Sequence, residues 1–232
     1  MRRTALAVLV SVGLTIPLAP LWAEVAQDPS DLSGTYAETG GDIGLAKFRV
    51  DGATLIYDTE TTVEGDEAEI TTADAGRLRD VLRATEGVRV LELNSVGGSV
   101  FASEQMARIV LDFELDTIVS GSCVSSCVTI FLAGKSRRMM LGSQIGFHRW
   151  SWSGQSMQEY YEDQKAVEEW ATPFDFASWV FEDAQAETYK YLDYLLRRGV
   201  DPVFAIRTRK VAAETEWYPT RLEMLQAGVL TE

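Results

Sequence analysis

Three short segments carry residue types able to perform acyl transfer. Asn94-Ser95-Val96-Gly97-Gly98-Ser99 follows an apolar stretch, Gly121-Ser122-Cys123-Val124-Ser125-Ser126-Cys127 precedes another, and His148 is the only histidine in the chain. Paired glycines between a strand and a helix let the backbone approach closely and turn N–H groups toward a developing negative charge. A serine at the second junction has the Ser126 amide beside it as an oxyanion donor. A histidine is the natural general base for that hydroxyl near neutral pH. Each segment alone has a plainer explanation: a turn, an N-cap, a satisfied core imidazole. Together they imply one site, because all three fall at equivalent strand ends of a single parallel sheet, where open α/β folds place their ligands.

The elements that must hold these segments follow from periodicity. Ala53–Tyr57, Val88–Leu93, Thr117–Val119 and Gln144–Phe147 read as strands. Thr72–Ala84, with Thr72 as N-cap, Ser99–Phe113, with Val100, Ala107, Val110 and Leu111 inward, and Ser126–Leu132 read as helices. Strands alternating with helices over short links predict crossover units and a mainly parallel sheet. Residues 150–194 hold 12 of the 23 aromatic residues, which suits apolar helix stripes packed on the sheet as well as a binding or docking surface. Pro173 divides that zone, so two helices are expected, near Met157–Ala171 and Phe181–Arg198.

Of 232 residues, 35 are acidic and 21 basic, 46% are hydrophobic and two are cysteines, giving a formal charge of −14. The acidity argues against a nucleic-acid partner, whose phosphates are held by Lys and Arg. One histidine and two cysteines cannot complete a usual zinc shell, which excludes a structural zinc finger and leaves a carboxylate-rich metal site only weakly open; chemistry by side chains alone, with no metal and no cofactor, is the expectation. Arg2 and Arg3 before an apolar run from Ala5 to Ile16, then Pro17, Pro20 and Ala23, form a secretory leader pattern over residues 1–23. Its apolar run is shorter than a comfortable membrane span, so no stable membrane insertion is expected once it is removed. Removal takes two arginines and no acid, moving the formal charge from −14 to −16. The expected destination is the periplasm or the exterior. Residues 24–45 read as a flexible, glycine-rich arm, and 46–232 as a single domain.

Leu93-Asn94-Ser95-Val96-Gly97-Gly98-Ser99-Val100, then Gly121-x-x-x-Ser125, Ala133-Gly134 with Arg137 or Arg138, and Ile145-Gly146-Phe147-His148 resemble the proteolytic subunit of the Clp protease and its exported relatives in the crotonase-like superfamily. That resemblance implies a crotonase-like (ClpP/crotonase) ββα fold of α/β class, with a mainly parallel sheet and C-terminal helices, and a serine peptidase site. By position it makes Ser125 the nucleophile, His148 the base, and the Gly98 and Ser126 amides the oxyanion hole. Glu216, in Glu216-Trp217-Tyr218-Pro219-Thr220, falls where the family has its third triad member, usually Asp; Glu214 is the alternative. Val96 replaces the family's usual proline. The resemblance further implies a polypeptide substrate bound as an added strand, and a homo-oligomer.

Cys123 and Cys127 flank Ser125, a feature similar to the exported relatives, and four residues at a helix start bring two Cα atoms near disulfide range. Three competing readings remain at this level. One is a cysteine nucleophile at Cys123 or Cys127, another a serine–lysine dyad using Lys135, and the third a hydrolase of non-peptide acyl substrates. A catalytically inactive binding or assembly module of the same fold is the alternative from a different functional class.

Overall fold

The computed structural model describes residues 45–62 and 67–232, which belong to a unit spanning Gly41–Glu232. The leader and almost all of the arm lie outside the described residues.

A 3-10 turn at Leu45–Lys47 leads into β1 (Phe48–Asp51) and β2 (Thr54–Asp58), an antiparallel hairpin. Then come α1 (Thr72–Ala84), β3 (Val90–Ser95), α2 (Val100–Asp112), β4 (Asp116–Val124), α3 (Cys127–Leu132), β5 (Arg137–Met139) and β6 (Gln144–Gly146). The sheet runs β1-β2-β3-β4-β5, with β6 also on β4, and every pairing but the first is parallel.

On the edge away from β3, the nine-residue β4 serves two neighbours. Thr117–Val119 pair with β5, and Ser122–Val124 pair with β6. A register shift on β3 sits at the same level, so that Leu93 faces Val119 while Ser95 faces Cys123. Past that shift a second row of short pairings forms, with Ile70 beside Gly98 and Phe147 beside Trp217. Each repeat thus supplies one strand in the main sheet, a shorter one beyond the bend, and a helix. This is the ββα order, and the chain has the expected α/β class with a mainly parallel sheet.

Alternation drives the strands: Leu55 and Tyr57 on β2, and Leu91, Leu93 and Ser95 on β3, point inward. The inward stripe of α2 is Ala102, Met106, Ile109 and Val110, and Leu111, expected inside, lies at its exposed edge at 39%. Ala107 is buried as expected. Thr71, not Thr72, caps α1, since the Asp74 carboxylate accepts from the Thr71 amide at 2.8 Å.

Beneath α1 lies a buried ion pair. Lys47 Nζ donates to Asp74 Oδ2 at 3.2 Å and to the Glu69 carbonyl at 2.8 Å, while the Tyr57 hydroxyl donates to the same carboxylate oxygen at 2.8 Å. Three bonds donated to Oδ2, from Lys47, Tyr57 and the Thr71 amide, offset the cost of burying the carboxylate, whose Oδ1 has no partner among the described residues. Arg137, on a three-residue strand too basic to be read from sequence, is buried because its guanidinium binds the Val229, Gly228 and Arg198 carbonyls and so holds the chain end to the sheet.

The C-terminal helices are α4 (Gly154–Gln164), α5 (Pro173–Arg197), α6 (Pro202–Lys210) and α7 (Arg221–Gln226). Helix α5 starts eight residues before the expected Phe181. Pro173 is its first residue, where the missing N–H costs nothing, and Thr172 caps it through the Asp175 amide at 3.3 Å. Tyr160, Tyr161, Trp170, Phe176 and Trp179 pack together between α4 and the first turns of α5. The last turns of α5 enter the main core through Leu195.

Candidate active site

Ser125 occupies the turn between β4 and α3 with φ +56°. That left-handed conformation is uncommon for a non-glycine residue and concentrates at functional turns. Its amide donates to the Gly146 carbonyl at 3.2 Å and its carbonyl accepts from Val128 at 3.1 Å. The serine is half-buried while both neighbouring residues are buried. Cys123 and Cys127 are joined, with sulfurs 2.04 Å and Cα atoms 5.3 Å apart, and both are fully buried. The bond closes a five-residue ring with Ser125 at its centre. A thiol committed to a disulfide cannot supply the thiolate of a nucleophile, which removes the cysteine alternative for this oxidised state.

The glycine turn lies directly against this elbow. A Cβ on Gly97 would fall 2.9 Å from Ser125 Cβ, 2.8 Å from the Val124 carbonyl oxygen and 3.2 Å from Ser126 N. The turn is pinned on all sides. Ser95 Oγ accepts from Gly97 N and Thr59 Oγ1, both at 3.1 Å, and the Gly97 carbonyl accepts from Ile70 at 2.7 Å. Ser99 donates to the Ile70 carbonyl at 2.8 Å, and Ser126 Oγ donates to the Gly98 carbonyl at 3.1 Å.

These bonds fix the direction of the Gly98 N–H. In a trans peptide the N–H and C=O point opposite ways. The Gly97 carbonyl faces Ile70, so the Gly98 N–H faces away from Ile70. The next peptide sends its N–H to Ile70 and its carbonyl to Ser126, so the side away from Ile70 is the Ser126 side. Among the described residues neither the Gly98 nor the Ser126 amide has an acceptor. Two uncommitted donors beside a serine form the arrangement that stabilises an oxyanion.

His148 follows β6 and is half-buried. Phe147 exchanges two backbone hydrogen bonds with Trp217, at 3.0 and 2.9 Å, and packs edge-on against Phe204. Successive residues of a strand face opposite ways, so a buried Phe147 turns His148 outward. Gly146 pairs with Val124, and His148 stands two residues beyond it, roughly 7 Å along the strand. His148 Nδ1 lies 3.0 Å from the Arg149 carbonyl oxygen.

The antiparallel pair Phe147–Trp217 places Glu216 across from His148 in the backbone ladder. The hydrogen bond of its carboxylate, however, is with Tyr218, whose hydroxyl donates to Glu216 Oε2 at 2.8 Å. The Tyr218 ring lies where a Cβ of residue 146 would meet it at 2.8 Å, which explains the glycine there. Burial first, then the Glu216 bond, push the Tyr218 hydroxyl above the usual tyrosine range. Glu214 is exposed in the turn before Glu216. Lys135 is eliminated as a partner by topology. Its amide pairs with Leu115, before the start of β4, and Ser125 follows the other end, roughly 25–30 Å of extended strand away.

Sequence reasoning missed Ser95, whose hydroxyl holds the glycine turn, and Tyr218, which holds the carboxylate. The Asn94-Ser95-Val96-Gly97 string carries the first signal, since a Ser two residues before Gly97 is placed for a side-chain turn bond; nothing in sequence marks the second.

No family model matches the chain, and no curated protein matches it. Among solved structures, a ClpP1 mutant from Listeria monocytogenes aligns with a TM-score of 0.46 and 14% identity, over 71% of this chain and 85% of that one.

Proposed function

We propose that this chain is an exported serine peptidase that works through an acyl-enzyme on Ser125. The observation that carries the reading is the elbow itself: a serine in the left-handed region, with Gly97 against its Cβ and the Gly98 and Ser126 amides uncommitted. His148 Nε2 takes the Ser125 Oγ proton as Oγ bonds to the scissile carbonyl carbon. The oxyanion is held by the two amides, and the proton passes to the leaving amine as the C–N bond breaks. Water then adds with His148 as base, and the acid product leaves Ser125. The motif resemblance supports a polypeptide substrate and a homo-oligomer. The charged and apolar leader supports export, and a buried disulfide suits an oxidising compartment. No described helix is long and apolar enough to cross a membrane.

The test is labelling with a fluorophosphonate, mapped by mass spectrometry, on the parent protein and on Ser125→Ala and His148→Ala. An adduct on Ser125 that is lost in both variants is expected. A folded parent that takes no label refutes the peptidase reading. One observation favours a second reading, a binding module with a decayed site: the Glu216 carboxylate is bonded to Tyr218 and not to His148. Absence of label would leave that reading standing.

A further inference from the structure

The group that orients the candidate base is a backbone carbonyl, and an aromatic clamp on the next residue holds it. A carbonyl oxygen only accepts, so the 3.0 Å contact between His148 Nδ1 and the Arg149 carbonyl requires the proton on Nδ1. In the neutral ring Nε2 is then the free acceptor, which is the form a base needs toward a serine hydroxyl. The Arg149 carbonyl belongs to the peptide that joins Arg149 to Trp150, and both ends of this peptide are fixed. On one side the Arg149 amide donates to the Val211 carbonyl at 3.1 Å. On the other, the Trp150 indole meets the Tyr191 ring of α5 edge-on at 5.2 Å and lies under the Arg209 guanidinium of α6 at 4.3 Å. Arg209 also lies 5.0 Å from the Tyr191 ring, closing the group of three. Tyr194, three residues along α5, donates to the Thr129 carbonyl of α3 at 2.8 Å, which ties the clamp's helix to the helix behind Ser125.

We infer that Trp150, seated against Tyr191 and Arg209, is a positioning residue: by fixing the Arg149 carbonyl it holds His148 in the Nδ1–H tautomer, without a contribution from Glu216. This assignment rests on the peptidase reading for its role in the reaction. Its structural content does not, because the tautomer can be read with no substrate.

The chain has a single histidine, so long-range proton–nitrogen NMR of protein labelled with ¹⁵N in the imidazole reports His148 alone. With the pH raised until the ring signals stop moving, a protonated Nδ1 and an unprotonated Nε2 are expected. Trp150→Ala is expected to mix the tautomers and to slow fluorophosphonate labelling of Ser125 by about 10- to 100-fold, a part of the roughly 10²–10⁴ that a positioned base contributes. Trp150→Phe, which keeps a ring against Tyr191, should restore the tautomer and most of the rate. Glu216→Gln should leave both within about threefold, against the ~10⁴ expected if a triad acid were lost. A protonated Nε2 in the parent protein, unchanged labelling in Trp150→Ala, or a 100-fold loss in Glu216→Gln would each overturn the assignment. If the parent takes no label the peptidase reading fails, and the tautomer in parent and Trp150→Ala protein still decides this one.

Discussion

Gly97→Ala puts the elbow geometry to a quantitative test. Two costs act at residue 97 and can be separated. Its φ is +103°, which an L side chain adopts only with strain, and its new Cβ would press on Ser125 Cβ and on the Val124 carbonyl oxygen, at 2.9 and 2.8 Å. Gly142 isolates the first cost, having φ +84° and nothing within 4 Å of its ideal Cβ. Gly142→Ala should therefore lose about 1–2 kcal/mol, the strain of a left-handed residue. Gly97→Ala carries that loss and an overpacking cost of about 1–3 kcal/mol more, because the Val124 carbonyl belongs to a strand paired on both edges and cannot give way. Thermal midpoints should drop by roughly 2–8 °C and 4–20 °C respectively, at about 2–4 °C per kcal/mol for a domain of this size. The labelling rate at Ser125 should fall at least tenfold in Gly97→Ala alone, since displacements of about 1 Å at a nucleophile cost on the order of 10²-fold. Paired measurements of melting and of labelling, both below the variants' melting range, check this. Equal destabilisation by the two substitutions, or an unchanged labelling rate in folded Gly97→Ala, would refute the contact between glycine turn and elbow.

Replacing both Cys123 and Cys127 by alanine should lose about 2 kcal/mol at 25 °C, the chain-entropy value for a five-residue ring; denaturant titration of the variant against the parent reads it. Lys47→Met leaves Asp74 charged in a site where both side chains are almost wholly buried, so a loss of about 3–5 kcal/mol is expected by urea unfolding. Burial, reinforced for Tyr57 by the Asp74 charge, raises the hydroxyl pKa of Tyr57 and Tyr194 above the usual tyrosine value. Each group's folded pKa is then above its unfolded one, so above about pH 10 the unfolded chain binds fewer protons and stability falls as pH rises, by about 1.4 kcal/mol per unit for each tyrosine. Stability curves from pH 8 to 11 should bend downward near the top of that range, and Tyr57→Phe should reduce the slope.

Much of the main sheet was legible because its strands alternate cleanly and its helices carry one apolar stripe, as the close match at Thr72–Ala84 illustrates. The short elements were not. β1 buries only Phe48 of its four residues, and β5 is basic because Arg137 is solvated by carbonyls instead of water. Neither leaves a periodic trace. Within the site, local chain order announces which residues share a turn, as Gly97 and Gly98 do, or lie at the ends of neighbouring strands, as Ser125 after β4 and His148 after β6 do. It cannot announce contacts made by chain segments far apart in sequence. Trp150 against Tyr191 and Arg209 spans some sixty residues of chain and looked like an ordinary aromatic-rich zone. Glu216 was drawn by position alone, and its actual hydrogen-bond partner sits two residues away.

That displacement bears on how little a base needs. In a serine protease triad, exchanging the acid for its amide keeps the geometry yet lowers kcat about 10⁴-fold, because the amide can stabilise the wrong tautomer. The acid therefore has two separable roles, setting the tautomer and neutralising the imidazolium as it forms. A backbone carbonyl at His148 Nδ1 can perform the first and not the second, since it accepts a proton-bearing nitrogen but carries no charge. On the peptidase reading proposed above, a site built this way would keep the hydroxyl–imidazole pair competent and give up part of the stabilisation of the charged intermediate. Fluorophosphonate labelling needs the oriented base to take the Ser125 proton, but fluoride leaves without being protonated, so labelling should survive in the parent protein, whereas hydrolysis of an unactivated amide, which also needs the leaving amine protonated, should be slow. A Glu216 side chain released from its hydroxyl partner by Tyr218→Phe would then be free to turn to His148 across the ladder. If amide hydrolysis rises in that variant while the labelling rate stays level, charge and tautomer are supplied by different groups in this site.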